Sequence, residues 1–337
     1  MSERLKHWLK FIVAIGISVV FSVLFLGSID LDQVWESLGH ANYLYVVPAL
    51  GLFAVSLALR SARWAVLFPG DRRFTWRELM PSLLVGYAGN NLLPLRAGEL
   101  LRAQNLADRT GVPRMLTFGT FMMERLFDSA VLSIFVLWGL LLVDVGAEYV
   151  GIGLILFAAA FGGFIVCTVF AMKPGVVQWF ASLPIPFMSD RLREIVIGLG
   201  NSFLDGFDVL RSPRRIALAG VLSVGAWLME LSMYWLISVA FRLDVSFISV
   251  AFAGSAANVA LSLPSAQGGV GPFHLTATEA LVKFGVLKDS AAAYAIALHI
   301  FLIVPVSIVG IIVFWRSTLP GKRRERIMAS QLEETSP

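Results

Sequence analysis

Two interrupted apolar segments decide the fold: AGNNLLPLRAGEL at 88–100 and AANVALSLPSAQGGVG at 256–271. Each has small residues, an Asn, a Pro that follows apolar residues, and then Gly. Pro interrupts a helix and Gly permits close backbone approach, so each segment is expected to break into two short helices. Irregular backbone at membrane depth is tolerated where protein or a wet cavity surrounds it. These stretches predict two broken hairpins, 79–95 and 247–285.

The composition is typical of a membrane protein. Of 337 residues, 57% are hydrophobic and 15% charged, and the mean hydropathy is +0.77. Soluble domains average about 45–50% apolar and about 25% charged residues, so the apolar excess must face lipid. Six further segments have the roughly 20 apolar residues that cross a bilayer: 11–29, 43–67, 115–143, 150–172, 215–241 and 291–315. We predict an all-α polytopic membrane protein with six full spans and two re-entrant broken hairpins.

The distribution of Lys and Arg predicts the orientation in the membrane. With a cytoplasmic N-terminus and two re-entrant hairpins, 21 of the 27 Lys and Arg residues lie on the cytoplasmic side. They occupy the pieces 1–10, 68–78, 96–114, 173–215 and 316–337. Positive residues concentrate on the cytoplasmic side of membrane proteins. Both termini are therefore expected in the cytoplasm of a cell (inner or plasma) membrane, with the hairpins entering from opposite sides.

The order of spans suggests an inverted-topology repeat. Residues 1–145 form a first half, residues 146–315 a second half with the same order, and 316–337 a cytoplasmic tail. Inverted repeats with broken helices at corresponding places recur in secondary transporters. The alternative is two unrelated Gly- and Pro-broken segments that happen to look alike. Within the loop at 173–214, apolar residues at helical spacing predict a surface helix at 191–210.

The sequence contains none of the common motifs of soluble enzymes that were sought. The sequence has no P-loop, no G-x-S-x-G and no H-E-x-x-H motif. Its one cysteine, Cys167, lies in an apolar run, and its four histidines are scattered. We expect no cofactor, no metal site, no catalytic residue and no nucleic-acid partner.

Charged residues at membrane depth are the first candidate site. Glu124, Arg125 and Asp128 lie in one predicted span, where each charge costs roughly 2.5–3.5 kcal/mol. Glu124 and Asp128 are four residues apart and share a helix face that needs a cation. Candidate cations are Arg60, Arg63, Arg96 and Arg102. Glu230 lies about midway along 215–241. The alternatives are ion pairs that orient helices and a neutral glutamic acid that joins them.

The first hairpin offers a second set of candidates: Asn90, Asn91, Arg96, Glu99 and Arg102. The two asparagines can satisfy backbone groups that the break frees. Arg96 and Arg102 are expected to hold a phosphate, because the guanidinium fork matches phosphate oxygens. The alternative is that these arginines only anchor the cytoplasmic side.

The second hairpin offers a third set: Asn258, Gly268, Gly269, Gly271 and His274. A new half-helix is expected to begin near Phe273. Its free backbone N–H groups would form a site for an anionic headgroup. The alternative is a flexible outer loop.

Three motifs carry a resemblance to a known family: NNLLPLRAGELLR (90–102), MERLFD (123–128) and LPSAQGGVGPF (263–273). The chain resembles, over about residues 10–315, the flippase-like membrane domain of lysylphosphatidylglycerol synthases, which also occurs alone. The resemblance implies movement of a lipid between leaflets. Typical members have a Glu soon after the second Gly-rich loop, where this chain has His274 and next Glu279. The synthases also carry a soluble domain that uses aminoacyl-tRNA, and we expect this chain to lack it.

These patterns favour a lipid translocator over two alternatives. The substrate would be a membrane lipid with a polar, anionic headgroup, such as a modified phospholipid or a polyprenyl-phosphate sugar. Transport would run downhill or couple to protons through Glu230 or the Glu124/Asp128 pair. The first alternative is a membrane-embedded transferase acting on a lipid carrier. The second is a non-catalytic partner of a lipid-modifying enzyme.

Overall fold

The computed structural model describes residues 19–93, 97–142, 147–172, 190–261 and 267–318, together with Gly16 and Gly175. Within these ranges the regular structure is entirely helical, and residues 19–26 also form helix. The labelled helices are α1 (Leu31–His40), α2 (Val46–Leu67), α3 (Trp76–Leu92), α4 (Gly98–Thr110), α5 (Arg114–Leu142), α6 (Ala147–Met172), α7 (Asp190–Asp205), α8 (Pro213–Ala240), α9 (Phe247–Ala260), α10 (Pro272–Val282) and α11 (Lys288–Thr318). Short 3₁₀ turns lie at Tyr43–Tyr45, Asp208–Arg211 and Gln267–Gly269. Pro94, Arg96, Pro264 and the tail from 319 lie outside the described residues.

Long apolar helices occupy five of the six positions where spans were predicted; residues 11–15, 17 and 18 of the first predicted span, 11–29, lie outside the described residues. Among the described residues, three helices are long and apolar enough to cross a bilayer: Tyr43–Leu67, Pro213–Ala240 and Lys288–Ser317. Helices α5 and α6 cover the predicted spans 115–143 and 150–172. The protein is an all-α membrane protein. The predicted surface helix is α7, which ends at Asp205 and is followed by the 3₁₀ turn.

The first broken hairpin is longer than the sequence indicated. Helix α4, expected to belong to a cytoplasmic piece at 96–114, returns antiparallel to α3 and packs against it. Gly98 makes this possible, because a methyl group there would overlap the backbone oxygen of Gly86. A methyl group at Gly89 would lie 2.6 Å from the Gly98 Cα. Helices of 17 and 13 residues reach about 25 and 20 Å, short of the roughly 30 Å hydrocarbon core.

A capping box starts the first hairpin. The Thr75 hydroxyl accepts a hydrogen bond from the Glu78 backbone N–H, and the Glu78 carboxylate accepts from the Thr75 N–H at 2.7 Å. Hydrogen bonds from Thr75 hold the pKa of Glu78 below its ordinary value. These bonds satisfy donors that a helix start leaves open. They fix where the chain turns into α3.

The second hairpin has the Gly-rich break that was predicted. Helices α9 and α10, of 14 and 11 residues, pack together and are also too short to cross the bilayer. Between them Gly268, Gly269 and Gly271 have φ values of 68°, 72° and 94°. Side chains with a Cβ rarely adopt this backbone conformation. The new half-helix begins at Pro272, one residue before the position expected.

One end of the bundle, the basic end, gathers the chain around 66–78, 105–114 and 211–215. Arg109 donates to the Glu78 carbonyl at 3.0 Å, and Arg215 donates to the Val66 carbonyl at 2.9 Å. Among the described residues, the arginines of this end include Arg72, Arg73, Arg77, Arg109 and Arg211, and such a cluster is what the positive-inside rule expects of a cytoplasmic side. The first hairpin enters the bundle from this end.

The opposite end gathers residues 30–42, 240–247 and 282–289. The Asp30 N–H donates to the Asp289 carboxylate at 2.8 Å, and the Asn42 N–H donates to the Ala240 carbonyl at 2.8 Å. The second hairpin begins and ends here, next to the start of α11. The two hairpins therefore enter the bundle from opposite ends. Which end faces the cytoplasm remains a prediction.

Helix contacts are exchanged between the two halves in a two-fold pattern. Helix α2 packs on α8, so the second span of each half meets its counterpart. Helix α11 packs on α3, and α5 packs on α9, so the third span of each half supports the other half's hairpin. The pairs α2–α3 and α8–α9 correspond in the same way, as do α4–α5 and α10–α11. A repeat of the two halves would give this exchange of contacts; the repeat and its opposite membrane orientations remain predictions.

Candidate functional site

The two broken hairpins meet at a cavity of about 250 Å³. Its wall includes residues of both hairpins and of the four long helices around them. The polar and aromatic-polar residues of the wall are Arg60, Tyr87, Asn90, Asn91, Glu99, Arg125, Asp128, Ser129, Trp227, Glu230, Tyr234, Asn258 and His299. The remaining wall is Gly268, Gly269 and the apolar side chains Phe53, Leu93, Leu132, Leu261, Phe273, Leu302, Ile303 and Val306.

Helical spacing explains why these residues face one space. On α5, Arg125, Asp128, Ser129 and Leu132 recur at intervals of three and four residues, which lie on one helix face. On α8, Trp227, Glu230 and Tyr234 recur in the same way, and on α11 so do His299, Leu302, Ile303 and Val306. Each long helix thus contributes one stripe to the cavity.

Arg60 lies at the centre of the polar wall. Its Nη2 contacts the Glu230 Oε2 at 2.7 Å, and its Nη1 contacts the Asp128 Oδ1 at 3.5 Å. Its Nε donates to the Ser56 hydroxyl at 3.4 Å, and its guanidinium lies 4.3 Å from the centre of the Trp227 ring. A charge at this depth is stabilised only by such partners. The sequence named Arg60 only as a candidate cation. In the structure its shortest ion pair is with Glu230.

Asp128 is held independently of Arg60. Arg63 donates to its two oxygens at 2.6 and 3.3 Å, and the Trp227 indole N–H donates to Oδ1 at 2.9 Å. Arg63 also donates to the Ser223 hydroxyl at 3.1 Å. The forked pair is the stronger geometry for an arginine and a carboxylate. Asp128 therefore has a complete set of donors even without Arg60.

Arg102 and Glu124 form a second forked pair behind the cavity wall. The two distances are 2.7 and 3.1 Å, and the guanidinium is stacked 3.6 Å from the Trp64 ring centre and 4.4 Å from that of Phe121. Neither Arg102 nor Glu124 lines the cavity. The predicted phosphate ligand on the first hairpin is thus engaged by a carboxylate and two aromatic rings. We assign this pair a structural role.

Arg125 and Glu99 are the accessible charged pair of the cavity. The Arg125 side chain is 52% exposed and the Glu99 side chain 33% exposed, and the Arg125 Nε lies 3.9 Å from the Glu99 Oε1. This distance is too long for a hydrogen bond. Both groups therefore keep hydrogen-bonding capacity for a ligand.

Asparagines of both hairpins line the cavity. Asn90 lies two residues before the end of α3, and Asn258 two residues before the end of α9. Asn258 donates to the Tyr234 hydroxyl at 3.1 Å and to the Gly254 carbonyl at 2.8 Å. The Asn90 Oδ1 is buried and has no hydrogen-bond partner among the described residues. Asn91 donates to the Ser307 hydroxyl at 3.0 Å, which joins α3 to α11.

Two histidines brace the break of the second hairpin. His299 Nε2 lies 2.8 Å from the Gly268 carbonyl, and its Nδ1 lies 3.1 Å from His274 Nε2. The Gly271 N–H donates to His274 Nδ1 at 3.4 Å. The His299 ring stacks on Phe273 with ring centres 4.5 Å apart. His274 thus reaches the cavity only through His299, and Gly271 does not line it.

The structure brings most of the sequence candidates together. Asn90, Asn91, Glu99, Arg125, Asp128, Glu230, Asn258, Gly268 and Gly269 all line the cavity. Arg102, Glu124, Gly271 and His274 do not, and Arg96 lies outside the described residues. Sequence reasoning missed Tyr87, Tyr234, Trp227, Ser129 and His299. For His299 the available signal was a lone histidine in an apolar span.

Among the residues that the structure describes, the charges around the cavity balance. Arg60, Arg63 and Arg125 face Glu99, Asp128 and Glu230. Among the described residues no group of three metal-ligating side chains is placed to hold a metal ion. The arrangement offers arginine donors, amide groups and aromatic faces at membrane depth.

Comparisons with known proteins agree with this architecture. The chain is 25% identical to the "Glycosyltransferase AglD" of Haloferax volcanii, over 91% of this chain and 54% of that protein. It is 25% identical to a "UPF0104 membrane protein" of Methanothermobacter thermautotrophicus, over 79% of this chain and 83% of the relative. No solved structure matches the chain. The family described as "Lysylphosphatidylglycerol synthase TM region" matches residues 11–310, and the protein therefore belongs to that family.

Proposed function

We propose that the protein moves a lipid with a polar, anionic headgroup between the two leaflets of a cell membrane. The headgroup passes through the cavity between the hairpins while the acyl chains stay in the bilayer. An ionised group has a prohibitive free energy in hydrocarbon, so a lipid headgroup needs such a polar path. The cell membrane and the cytoplasmic position of the basic end are part of this proposal.

One observation carries the proposal: hairpins from opposite ends of the bundle meet at one polar cavity. Each hairpin places irregular backbone and an asparagine there, Asn90 in one and Asn258 in the other. Broken helices that meet at the membrane midplane are typical of substrate sites in secondary transporters. The site is then reachable from either leaflet by movement of one hairpin.

Arg125 is the residue that we expect to meet the headgroup first. It is the most accessible arginine of the cavity wall, and its pairing with Glu99 is loose. A guanidinium fork matches the oxygens of a phosphate. Glu99 beside it suits a hydroxyl or amine group of the same headgroup, because a carboxylate accepts hydrogen bonds. Arg125 of α5 therefore takes the place of Arg102 of the first hairpin as the proposed phosphate ligand.

A transferase is the second candidate, because one relative is named a glycosyltransferase. This chain spans 54% of the length of that relative, so its activity is not carried over. Of the cavity carboxylates, Asp128 and Glu230 are engaged by arginines, which leaves Glu99 as the accessible one. One accessible carboxylate can act as the general base of a displacement reaction on a lipid carrier, so the test below includes a search for a new lipid product.

The test uses purified protein in liposomes that contain phosphatidylglycerol labelled on an acyl chain with a fluorophore that dithionite reduces. Dithionite reaches the outer leaflet only, so translocation lowers the protected fluorescence. Lipids are then extracted and their masses measured. Loss of protection with unchanged lipid masses supports the translocator. A new lipid product supports the transferase. If neither change is observed, the remaining hypothesis is a non-catalytic partner of a lipid-modifying enzyme.

A further inference from the structure

Among the described residues of the cavity wall, Glu230 is the buried carboxylate that relies on a single arginine; Glu99 also has one arginine partner but is partly exposed. Among the described residues, Arg60 is the single ion-pair partner of Glu230, at 2.7 Å. Asp128, in contrast, keeps Arg63 at 2.6 Å and the Trp227 N–H when Arg60 is removed. A competitor for Arg60 therefore leaves Glu230, and not Asp128, without a cation.

We propose that an anionic headgroup takes Arg60 from Glu230 and that Glu230 then binds one proton, so that each anion enters the cavity with a proton. This inference rests on the proposed function and adds its energy source. A proton gradient would then drive the lipid. It also assigns Arg60 and Glu230 distinct roles, as anion ligand and proton carrier.

The exchange balances in charge and atoms. Before it, Arg60 and Glu230 form a neutral pair through Nη2 and Oε2. After it, Arg60 pairs with the anion, and a proton from solution binds Oε2, the oxygen that Arg60 leaves. The Ser56 hydroxyl, 3.3 Å from Oε2, can accept the new O–H, while the Tyr234 hydroxyl still donates to Oε1 at 2.9 Å. The cavity gains no net charge.

The free energy of burial favours the proton. Glu230 is 6% exposed, so without Arg60 an ionised carboxylate there would have lost most of its solvation and would have no compensating cation, only the Ser56 and Tyr234 hydroxyls. Desolvation favours the neutral form of a carboxyl group, and a nearby cation favours the charged form. When Arg60 pairs with the anionic headgroup, desolvation of Glu230 remains and the stabilisation of its carboxylate by Arg60 weakens. Protonation is the response that a buried acid normally makes.

Other titratable and charged groups around the cavity do not replace Arg60. Apart from Tyr234, which is uncharged and donates to Glu230, those that share the wall with Glu230 are Tyr87 of α3, Glu99 of α4, Arg125 and Asp128 of α5 and His299 of α11. Arg125 contacts Glu99, and Asp128 contacts Arg63. His299 is bonded to the Gly268 carbonyl and to His274. None of these contacts is to the Glu230 carboxylate.

The experiment measures protons bound with the anion. Dihexanoyl phosphatidylglycerol is titrated into purified protein by calorimetry in two buffers with different ionisation enthalpies. Its phosphodiester stays ionised near neutral pH, so any proton taken up belongs to the protein. The parent protein should bind about one proton per lipid, and its Kd should rise by up to about tenfold per pH unit. Glu230→Gln should bind the lipid without proton uptake and with little pH dependence.

Two further variants keep the test decisive. Glu36→Gln, an exposed acid on α1, should bind lipid and proton as the parent does. If Glu230→Gln fails to fold, Arg60→Gln/Glu230→Gln removes both charges and leaves neither buried alone. Because Arg60 is the proposed anion ligand, that double variant should bind the lipid more weakly than the parent, and the binding that remains should take up no proton. Parent-like affinity or parent-like proton uptake would contradict the inference.

Three results overturn the inference: no saturable binding of the lipid, binding by the parent without a proton, or undiminished proton uptake in a Glu230 variant. Binding without a proton leaves translocation standing if the liposome assay shows it. A failed liposome assay, in contrast, refutes the proposed function, and the calorimetry still reports whether Glu230 takes a proton.

Discussion

Arg102 and Glu124 face each other in a forked ion pair, with distances of 2.7 and 3.1 Å, and both side chains are buried. Trp64 and Phe121 cover the guanidinium. The pair joins the return limb of the first hairpin to α5, outside the cavity lining. A residue pair of this kind fixes helices relative to each other.

Removing one member of this pair should destabilise the protein. Arg102→Ala leaves the buried Glu124 carboxylate with only the longer contact to Arg63, at 4.0 Å, and breaking a buried pair costs about 3–5 kcal/mol. We expect a lower yield and a lower Tm in detergent. Arg102→Met/Glu124→Leu leaves no buried charge and should recover most of the loss. A parent-like Tm for Arg102→Ala would contradict the structural role.

Substitution of Arg125, in contrast, should lower lipid transport and change stability little. Its side chain is half exposed and its ion contact with Glu99 is 3.9 Å long, so Arg125→Ala should cost at most about 1 kcal/mol of stability. Lipid transport should fall by about tenfold or more, since a hydrogen-bonded charge pair is worth about 1.5–3 kcal/mol. Arg125→Lys should keep part of the rate. Arg73→Ala, an exposed arginine at the basic end, is the control. Parent-rate transport by Arg125→Ala at equal protein density would remove Arg125 from the path.

The glycine contact in the first hairpin predicts a sharp difference between two Gly→Ala variants. A methyl group at Gly98 overlaps backbone atoms of Gly86 and Asn90, and a backbone shift is required. At Gly51, on the outside of α2, nothing lies within 4 Å of an added methyl group. Gly98→Ala should lower the Tm by several degrees, whereas Gly51→Ala should leave it unchanged or raise it, because Ala favours helix. Equal Tm values would mean that α3 and α4 are not packed this closely.

The two ends of the bundle predict which positions share a side of the membrane. In a Cys167→Ser background, single cysteines at Asp32 and Lys288 should react with an impermeant maleimide in intact cells. Cysteines at Arg72, Asp108 and Arg211 should react only after the membrane is opened. Labelling of Asp108 from outside would mean that the first hairpin crosses the membrane and that the inverted topology is wrong.

The breaks in both hairpins were predictable because their signals are local. Pro and Gly act on the residues next to them, and the three glycines at positive φ lie where the Gly-rich stretch placed the break. The return limb α4 was missed as part of the hairpin, since it carries polar residues such as Gln104 and Asp108 that are typical of a soluble piece. Its buried face, with Gly98, Arg102 and Leu106 at intervals of four residues, was the available signal.

Partners in the charged network could not be predicted, because they depend on how helices far apart in the chain are aligned. Arg60 and Glu230 are 170 positions apart and meet because α2 packs along α8. The sequence does not distinguish Arg102 from Arg125. In the structure Arg102 lies on a buried helix face, whereas Arg125 lines the cavity. Helix packing decides which arginine can bind a ligand, and the residue type at one position does not reveal that packing.

Reversible blockage of the cavity tests the central claim most directly. Ser129 is exposed and lines the cavity one residue after Asp128. In a Cys167→Ser background, Ser129→Cys is reacted with a charged methanethiosulfonate in liposomes, and redistribution of fluorescent phosphatidylglycerol is followed before and after reduction by dithiothreitol. Arg73→Cys, treated in the same way, is the control for modification itself. The account predicts that modification of Ser129→Cys stops redistribution, that the reductant restores it, and that Arg73→Cys is unaffected. Redistribution at the unmodified rate through a fully labelled Ser129→Cys cavity would show that headgroups do not pass between the hairpins.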